Sequence, residues 1–266
     1  MRTLMAIGGA IDQENPTLVA EFLRRAGGEQ ARLVVLPQAS DQVETGGIYA
    51  NQFLRLGARE AKILDFQQRD QAGTPEQIEM IRCASGIFFT GGTQMRLSVL
   101  IGGTPLEEEL LAAYQRGCLV GGTSAGAAIL SKTMIAYGHG GSTPREHIVQ
   151  FIPGLGFTDR FIFDQHFRKR NRLGRLIYAV ATYPGAVGVG IDENTAAIVE
   201  DDDRISVYGS GAVTIVDGRQ ITATDVAEVG SRGTVAVAGL IVHVLTDQGT
   251  YQRQARIARL PDRPPR

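Results

Sequence analysis

The first half of the chain alternates short apolar runs with longer amphipathic stretches. The runs have the length of buried strands and cover residues 3–7, 32–36, 61–66, 87–89 and 118–120. The amphipathic stretches cover residues 16–27, 48–56, 75–81, 94–100 and 105–116, and another begins at residues 125–130. Proline often opens these stretches and glycine often follows them, as is typical of helices. Repeated strand–helix units of this size predict a parallel sheet with helices on both faces.

After Gly138 the pattern becomes rich in strands. Further strands are predicted at residues 160–163, 186–189, 195–199, 205–208, 212–216 and 235–245, with a helix at residues 172–181. Because no linker separates them from the first half, we expect these strands to complete the same sheet in antiparallel orientation rather than form a second domain. The prediction is an α/β fold with one domain over residues 1–260 and a frayed tail at 261–266.

Composition and charge exclude several classes of function. The chain has 266 residues, with 27 Lys and Arg against 28 Asp and Glu, for a net charge of −1. That balance favours neither a nucleic-acid partner nor a membrane surface. The apolar stretch at residues 235–245 is too short to span a bilayer, and the N-terminus lacks a signal-peptide profile. The two cysteines, Cys83 and Cys118, have no metal-binding spacing, so we expect no metal site and a reducing cytoplasm.

A nucleophile candidate follows the strand at residues 118–120. Residues 121–127 contain G-x-S-x-G with Ser124 at its centre. Small neighbours let the chain turn from strand to helix within about one residue, which exposes the serine hydroxyl near backbone N–H groups. The alternative is a glycine-rich turn that binds phosphate or only packs. The strand before Ser124 and the helix after it favour catalysis.

The base candidate emerges by elimination among four histidines. His243 lies in an apolar run, whereas His139 and His147 lie in glycine-rich or polar loops. His166 ends a predicted strand, and polar side chains at such an end lie at the same mouth as the serine turn. We therefore take His166 as the general base. Its alternative role is a structural hydrogen bond at the strand end.

An acid that orients the base should also end a strand, and two candidates follow residues 186–189. Asp192 and Glu193 are adjacent, and the residues alone do not choose between them. The order serine, histidine, acid differs from the order serine, acid, histidine of the α/β-hydrolases. The serine motif therefore does not indicate that fold.

A basic cluster follows His166 and consists of Arg168, Lys169, Arg170, Arg172 and Arg175. Guanidinium groups grip carboxylates in a bidentate way, so the cluster suggests a substrate that carries carboxylates. The alternative is a solvated helix face with salt bridges. A nucleic-acid role is weaker, because few aromatic residues are interleaved with the charges.

Four blocks of sequence together resemble the cyanophycinase family of serine peptidases. They are FTGGTQ at residues 89–94, GTSAGA at 122–127, DQHF at 164–167 with the arginines after it, and GIDENT at 190–195. The glycine-led first strand, ending IGGA at residues 7–10, also fits. The blocks occur in the family's order and span most of the chain.

The resemblance implies a fold, an activity and a set of site residues. The fold would be the three-layer α/β/α sandwich shared with class I glutamine amidotransferases and peptidase E. The activity would be release of β-aspartyl-arginine dipeptides from the C-terminal end of cyanophycin, a poly-aspartate with arginine on each β-carboxyl. Ser124 would be the nucleophile, His166 the base and Glu193 the orienting acid, with Gly92 and Ala125 as the oxyanion donors. The substrate pocket would be lined by Gln94, Asp164, Gln165, Arg170, Arg172 and Arg175. The family also implies a homodimer and no cofactor.

Two departures from the family pattern affect the expected substrate preference. Thr93 stands where we expect Asp or Asn, and the loop over residues 138–157 is short and rich in glycine. The second hypothesis is a peptidase E-like aspartyl dipeptidase or another isopeptide-related hydrolase. A non-catalytic module that binds a nucleotide or metabolite through its glycine turns is the third.

Overall fold

The structure, a computed structural model, describes residues 1–231 and 233–261. Its α-helices are α1 (Thr17–Arg25), α2 (Thr45–Arg55), α3 (Pro75–Arg82), α4 (Gln94–Ile101), α5 (Pro105–Gln115), α6 (Ala125–Ala128) and α7 (Leu173–Thr182). Its strands are β1 (Thr3–Ile7), β2 (Arg32–Leu36), β3 (Glu60–Ile63), β4 (Gly86–Phe89), β5 (Leu119–Thr123), β6 (Thr133–Gly138), β7 (Val149–Pro153), β8 (Phe161–Asp164), β9 (Val187–Ile191), β10 (Thr195–Glu200), β11 (Arg204–Gly209), β12 (Ala212–Asp217), β13 (Ala223–Thr224), β14 (Val237–Ala238), β15 (Ile241–Thr246), β16 (Thr250–Gln252) and β17 (Ile257–Arg259).

A central sheet runs through the molecule in the order β17-β16-β11-β10-β1-β5-β4-β2-β3. The strands from β1 to β3 in this order pair in parallel, and β10, β11, β16 and β17 extend the sheet in antiparallel pairs. The predicted α/β fold, with parallel strands from the first half and antiparallel strands from the second, is confirmed. The parallel strands are joined through helices, as parallel pairing requires.

A small sheet of order β15-β12-β9-β8 stands apart from the central sheet. The expectation that all C-terminal strands complete one sheet is therefore wrong for these strands. Strand β9 illustrates the reason for this separate sheet. Its valines face the main core, and its glycines face the opposite side of the strand. A Cβ on Gly188 would lie 2.8 Å from Leu176 of α7, and one on Gly190 would lie 2.5 Å from the Phe167 ring. The strand is thus covered on both faces, which local sequence pattern does not reveal.

Alternate residues of the central strands face two different cores. Met5, Val35 and Phe88 pack with α1 and α2 on one face. Leu4 and Phe89 pack on the other face with α3 to α6 and with the inner face of the small sheet. Helix α7 covers the outer face of the small sheet. The carboxyl ends of β1, β4 and β5 therefore meet the ends of β8 and β9 at one edge of the molecule.

Local boundaries differ from the predictions in places. Strand β7 lies within residues 138–157, which were expected to be a loop, and it pairs antiparallel with β6, which precedes that region. The predicted strand at residues 235–245 is split into β14 and β15 at Gly239, which has a φ of 88° and lies against the backbone of Gln220. None of the helices described is long and apolar enough to cross a membrane. The predicted tail lies outside the described residues from residue 262 onward.

Candidate active site

Ser124 occupies a strained turn between β5 and α6. Its φ is 52° and its ψ −108°, a combination that side chains with a Cβ rarely adopt. The two glycines of the motif make the turn possible. A Cβ on Gly122 would lie 2.8 Å from the Gly126 carbonyl oxygen, and one on Gly126 would lie 2.7 Å from the Phe89 carbonyl carbon. In this conformation the hydroxyl lies within hydrogen-bond distance of His166.

A hydrogen-bonded relay connects three side chains that are far apart in sequence. Ser124 Oγ lies 3.0 Å from His166 Nε2, and His166 Nδ1 lies 2.7 Å from Glu193 Oε1. When the imidazole donates its Nδ1–H to Glu193, Nε2 is left free to accept the hydroxyl proton. Lys169 Nζ donates to the second carboxylate oxygen, Oε2, at 3.0 Å. The arrangement can deprotonate a hydroxyl and hold the resulting imidazolium next to a carboxylate.

Residues 7–9, at the end of β1, connect the three segments of the relay. Successive carbonyls of this segment accept backbone N–H groups from Ser124 at 2.9 Å, His166 at 2.8 Å and Asn194 at 2.9 Å. The central sheet thus holds the nucleophile and the ends of the small sheet through one short stretch of backbone. In the sequence, Gly8 and Gly9 were noted only because they fit the family pattern. Their position directly after a buried strand is the signal that could have placed them in the site.

The imidazole ring of His166 packs against the backbone of Gly9. The φ of Gly9 is 98°, and a Cβ added there would lie 2.5 Å from His166 Nε2. Real side-chain atoms do not approach so closely, so only glycine leaves room for the base in this orientation. His166 itself has a φ of 49°, which aims its ring back over the first strand.

The electrostatics of the relay favour a neutral base and an ionised acid at neutral pH. Burial lowers the pKa of the His166 imidazole below its ordinary 6.5, although the hydrogen bond that the imidazole donates to Glu193 acts in the opposite direction. The positive charge of Arg170 lowers this pKa further. The hydrogen bond with His166 holds the pKa of the Glu193 carboxyl below its ordinary 4.5.

Asp192 and Glu193 have different partners, although they are neighbours in sequence. Asp192 is buried, and its oxygens accept the backbone N–H groups of Arg168 at 3.0 Å and Ala212 at 3.2 Å. It therefore connects the segment that follows β8 to the start of β12, while Glu193 contacts the imidazole. The sequence did not decide between Asp192 and Glu193 as the partner of the base. In the structure, the side chain of Glu193 is the one that faces His166.

Asp164, Arg172 and Arg175 form a buried ionic cluster behind the relay. Arg175 donates Nε to Asp164 Oδ2 at 2.6 Å and Nη2 to Oδ1, and Arg172 Nη1 donates to Oδ1 at 3.2 Å. Arg172 also donates to the side-chain oxygen of Gln165 at 2.7 Å. Burial lowers the pKa of the Arg172 guanidinium to about 10, so it stays charged at neutral pH. These groups satisfy one another inside the protein.

The other predicted site residues lie around the serine turn. Gln94 donates Nε2 to the Ile135 carbonyl at 3.0 Å, and Arg170 is exposed to solvent. The turn containing Gly92 lies against Ser124, since a Cβ on the preceding glycine would contact Ser124 Cβ at 3.5 Å. No acceptor within the described residues takes the backbone N–H of Gly92 or Ala125. Both amides are therefore free to meet a negatively charged oxygen.

The remaining histidines lie away from the relay. His139 and His147 are exposed, and His243 packs against the Tyr251 ring at 5.5 Å between centroids. Within residues 1–231 and 233–261, no group of three or more His, Cys, Asp or Glu side chains is placed to hold a metal ion.

The α/β fold and the Ser–His–Glu relay are those of a serine-type hydrolase. Comparisons with known proteins narrow this class. A model of peptidase family S51 matches residues 4–207. The cyanophycinase of Trichormus variabilis is 39% identical over 246 residues, which cover 91% of this chain and 83% of that protein. The cyanophycinase of Synechococcus elongatus is 40% identical over 251 residues, which cover 93% and 78% respectively.

The chain belongs to peptidase family S51. The structure of a peptidase from an acI-B1 actinobacterium shares its fold, with a TM-score of 0.69 and 22% identity over 95% of this chain and 97% of that one. The resemblance drawn from the four sequence blocks is confirmed. The protein is thus a peptidase, and the hypothesis of a non-catalytic binding module is set aside.

Proposed function

We propose that the protein is a serine exopeptidase that hydrolyses cyanophycin to β-Asp-Arg dipeptides. The observation that carries this proposal is the relay, with 3.0 Å between Ser124 Oγ and His166 Nε2 and 2.7 Å between His166 Nδ1 and Glu193 Oε1. The choice of polymer is supported by relatives about 40% identical that are named cyanophycinases.

The proposed reaction proceeds through an acyl-enzyme. Ser124 Oγ attacks the carbonyl carbon of a backbone amide while His166 Nε2 takes the hydroxyl proton. Glu193 keeps the Nδ1 tautomer and stabilises the imidazolium. His166 then gives the proton to the leaving amine, and water activated by the same imidazole hydrolyses the ester.

The backbone N–H groups of Gly92 and Ala125 are the proposed donors to the oxyanion. Support comes from their positions beside Ser124 and from their freedom from internal acceptors among the described residues. Donors that are already fixed in place need little reorganisation, which has a free-energy cost, when negative charge develops on the carbonyl oxygen in the transition state.

The proposed substrate residues divide by accessibility. Arg170 is exposed beside His166 and is free to contact a substrate carboxylate. Gln94 is half-buried and Gln165 is buried, and both are proposed to form part of the wall of the substrate pocket. The buried Asp164, Arg172 and Arg175 are proposed to act by shaping that wall.

A homodimer and a cytoplasmic location complete the proposal, and light scattering of the purified protein tests the dimer.

Incubation with purified cyanophycin, followed by mass spectrometry of the soluble products, tests the function. We expect β-Asp-Arg from the wild type and none from Ser124→Ala or His166→Ala proteins of normal circular dichroism. By analogy with known triads the rates fall by several orders of magnitude. Hydrolysis of α-aspartyl dipeptides with the polymer left intact would instead support the peptidase E-like alternative.

A further inference from the structure

A large groove lies along a loop that the proposed mechanism does not use. Its volume is about 940 Å³. Its lining includes His139, Ser142, Arg145, Glu146, His147 and Asn171. A volume of this size accommodates a side chain together with part of its backbone.

The groove is joined directly to the segment that carries the base. The Gly141 N–H donates to the Asn171 carbonyl at 2.5 Å, and the Gly174 N–H donates to the Gly141 carbonyl at 2.8 Å. Arg170 in turn donates its N–H to the His166 carbonyl at 3.0 Å. One wall of the groove is therefore the turn that leads away from the catalytic histidine.

The backbone of residues 144–146 is fixed from the other side. The Glu146 N–H donates to the Gly233 carbonyl at 3.0 Å, and the Val235 N–H donates to the Pro144 carbonyl at 3.0 Å. These bonds fix the backbone from which the side chains of Arg145 and Glu146 extend at the groove. Prearranged groups lose less conformational entropy when a ligand binds.

Among the described residues, two opposite charges at this groove, Glu146 and Arg145, lack full compensation. No donor within the described residues reaches Glu146 Oε2, and Oε1 has only the exposed His147 Nε2 at 3.5 Å. Arg145 is exposed and makes no ion pair with a described residue. A carboxylate oxygen buried without a donor is unfavourable, and a cation brought next to this group would offset that cost.

We propose that the groove is a subsite for an arginyl side chain of the polymer, with Glu146 receiving the guanidinium and Arg145 the carboxylate. This rests on the proposed function. An arginine joined through its α-amine to an aspartyl β-carboxyl keeps both a guanidinium and a free carboxylate. One anion and one cation on a fixed backbone match that pair of charges, and a guanidinium binds a carboxylate in a bidentate way.

Binding to a Ser124→Ala protein separates this subsite from cleavage. Calorimetry compares a short β-Asp-Arg oligomer with the same oligomer carrying citrulline, which has nearly the shape of arginine without its charge. We expect the Ser124→Ala protein to prefer the arginyl oligomer by about tenfold or more. Adding Glu146→Gln should remove most of that preference by weakening arginyl binding. Adding Glu29→Gln, the same change at an exposed site in the short 3-10 helix Gly28–Gln30, should preserve it.

A second pair of variants covers the case in which Glu146→Gln does not fold. Ser142 is exposed on the groove, so Ser142→Lys places a cation there with little effect on packing. It should weaken arginyl binding by about tenfold, whereas Ser142→Gln should not. An unchanged preference in both Glu146→Gln and Ser142→Lys overturns the subsite, even if the wild type degrades the polymer. Failure of the wild type to release dipeptides overturns the proposed function instead.

Discussion

Two carboxylates at the ends of neighbouring strands have opposite environments. Asp164, at the end of β8, is fully buried, and its oxygens accept N–H groups from Arg172 and Arg175. Glu193, just after β9, has a side chain 24% exposed and is bonded to His166 and Lys169. Each ends a strand of the small sheet, and each is paired with cationic or ionisable groups.

The difference shows how burial separates structural from chemical roles. A buried carboxylate is stable only when several donors hold it, and the donors then leave it little freedom to interact with a substrate. A carboxylate near the surface needs fewer partners, so it can respond when the imidazole gains a proton. Substitutions at the two sites should accordingly affect different quantities.

Glu193→Gln should show the largest effect and act on catalysis alone. The amide keeps the shape of the carboxylate but supports the wrong imidazole tautomer, so we expect kcat to fall by about 10³- to 10⁴-fold. The midpoint of thermal unfolding should change little. Steady-state kinetics and calorimetry measure the two. Asp192→Asn serves as the neighbouring control, and a greater loss of kcat there would exchange the assigned roles.

Asp164→Asn should act on stability. Removing this charge leaves two buried guanidinium groups without their anion, and we expect a loss of about 3–5 kcal/mol in the free energy of unfolding. Urea denaturation followed by circular dichroism measures it. The exposed pair of Asp159 and Arg160 offers a control, because Asp159→Asn should cost less than about 1 kcal/mol. Equal costs at the two sites would refute the contrast.

Gly9→Ala should displace the base of the relay without removing any member of it. The added methyl overlaps the imidazole, so we expect kcat/KM to fall by about 100-fold as the ring is displaced. Gly57→Ala is the matched control, because Gly57 has the same φ of 98° and open space around it. It carries the same backbone strain and should retain activity. Similar losses in both variants would assign the effect to strain.

The pH dependence of kcat/KM should report the environment of His166. Its pKa lies below 6.5, and the neutral form is the active one, so activity should be constant near neutrality and fall as the pH drops through that lower pKa. The Arg170 charge lowers this pKa, so Arg170→Gln should move the acid limb to higher pH. An acid limb above 6.5 in the wild type would contradict the assignment of burial as the dominant cause.

Lys169→Gln should have the smallest effect. The lysine side chain is 70% exposed, so its bond to Glu193 is screened by water and salt. We expect kcat to decrease by about fivefold or less, and the decrease should shrink further at high ionic strength. Kinetic measurements at low and high salt test this. A loss as large as that of Glu193→Gln would make the lysine an essential part of the relay.

The sequence by itself determined much of the fold and the outline of the site. Apolar runs separated by amphipathic stretches mark the parallel strands and their helices, because side-chain periodicity follows directly from backbone geometry. The small residues around Ser124 mark the turn, because a sharp change from strand to helix tolerates nothing larger. His166 stood out because its strand ends in polar residues at the edge where that turn lies.

Only the tertiary structure decided how the later strands divide and which charges remain available. The pairing of β9 with β8 and β12 joins segments distant in sequence, and both faces of β9 are covered. The choice of Glu193 over Asp192 as the partner of the base depends on which side chain turns toward His166. The burial of Arg172 and Arg175 depends on where α7 packs. These outcomes follow from long-range packing and desolvation, which no local pattern of residues encodes.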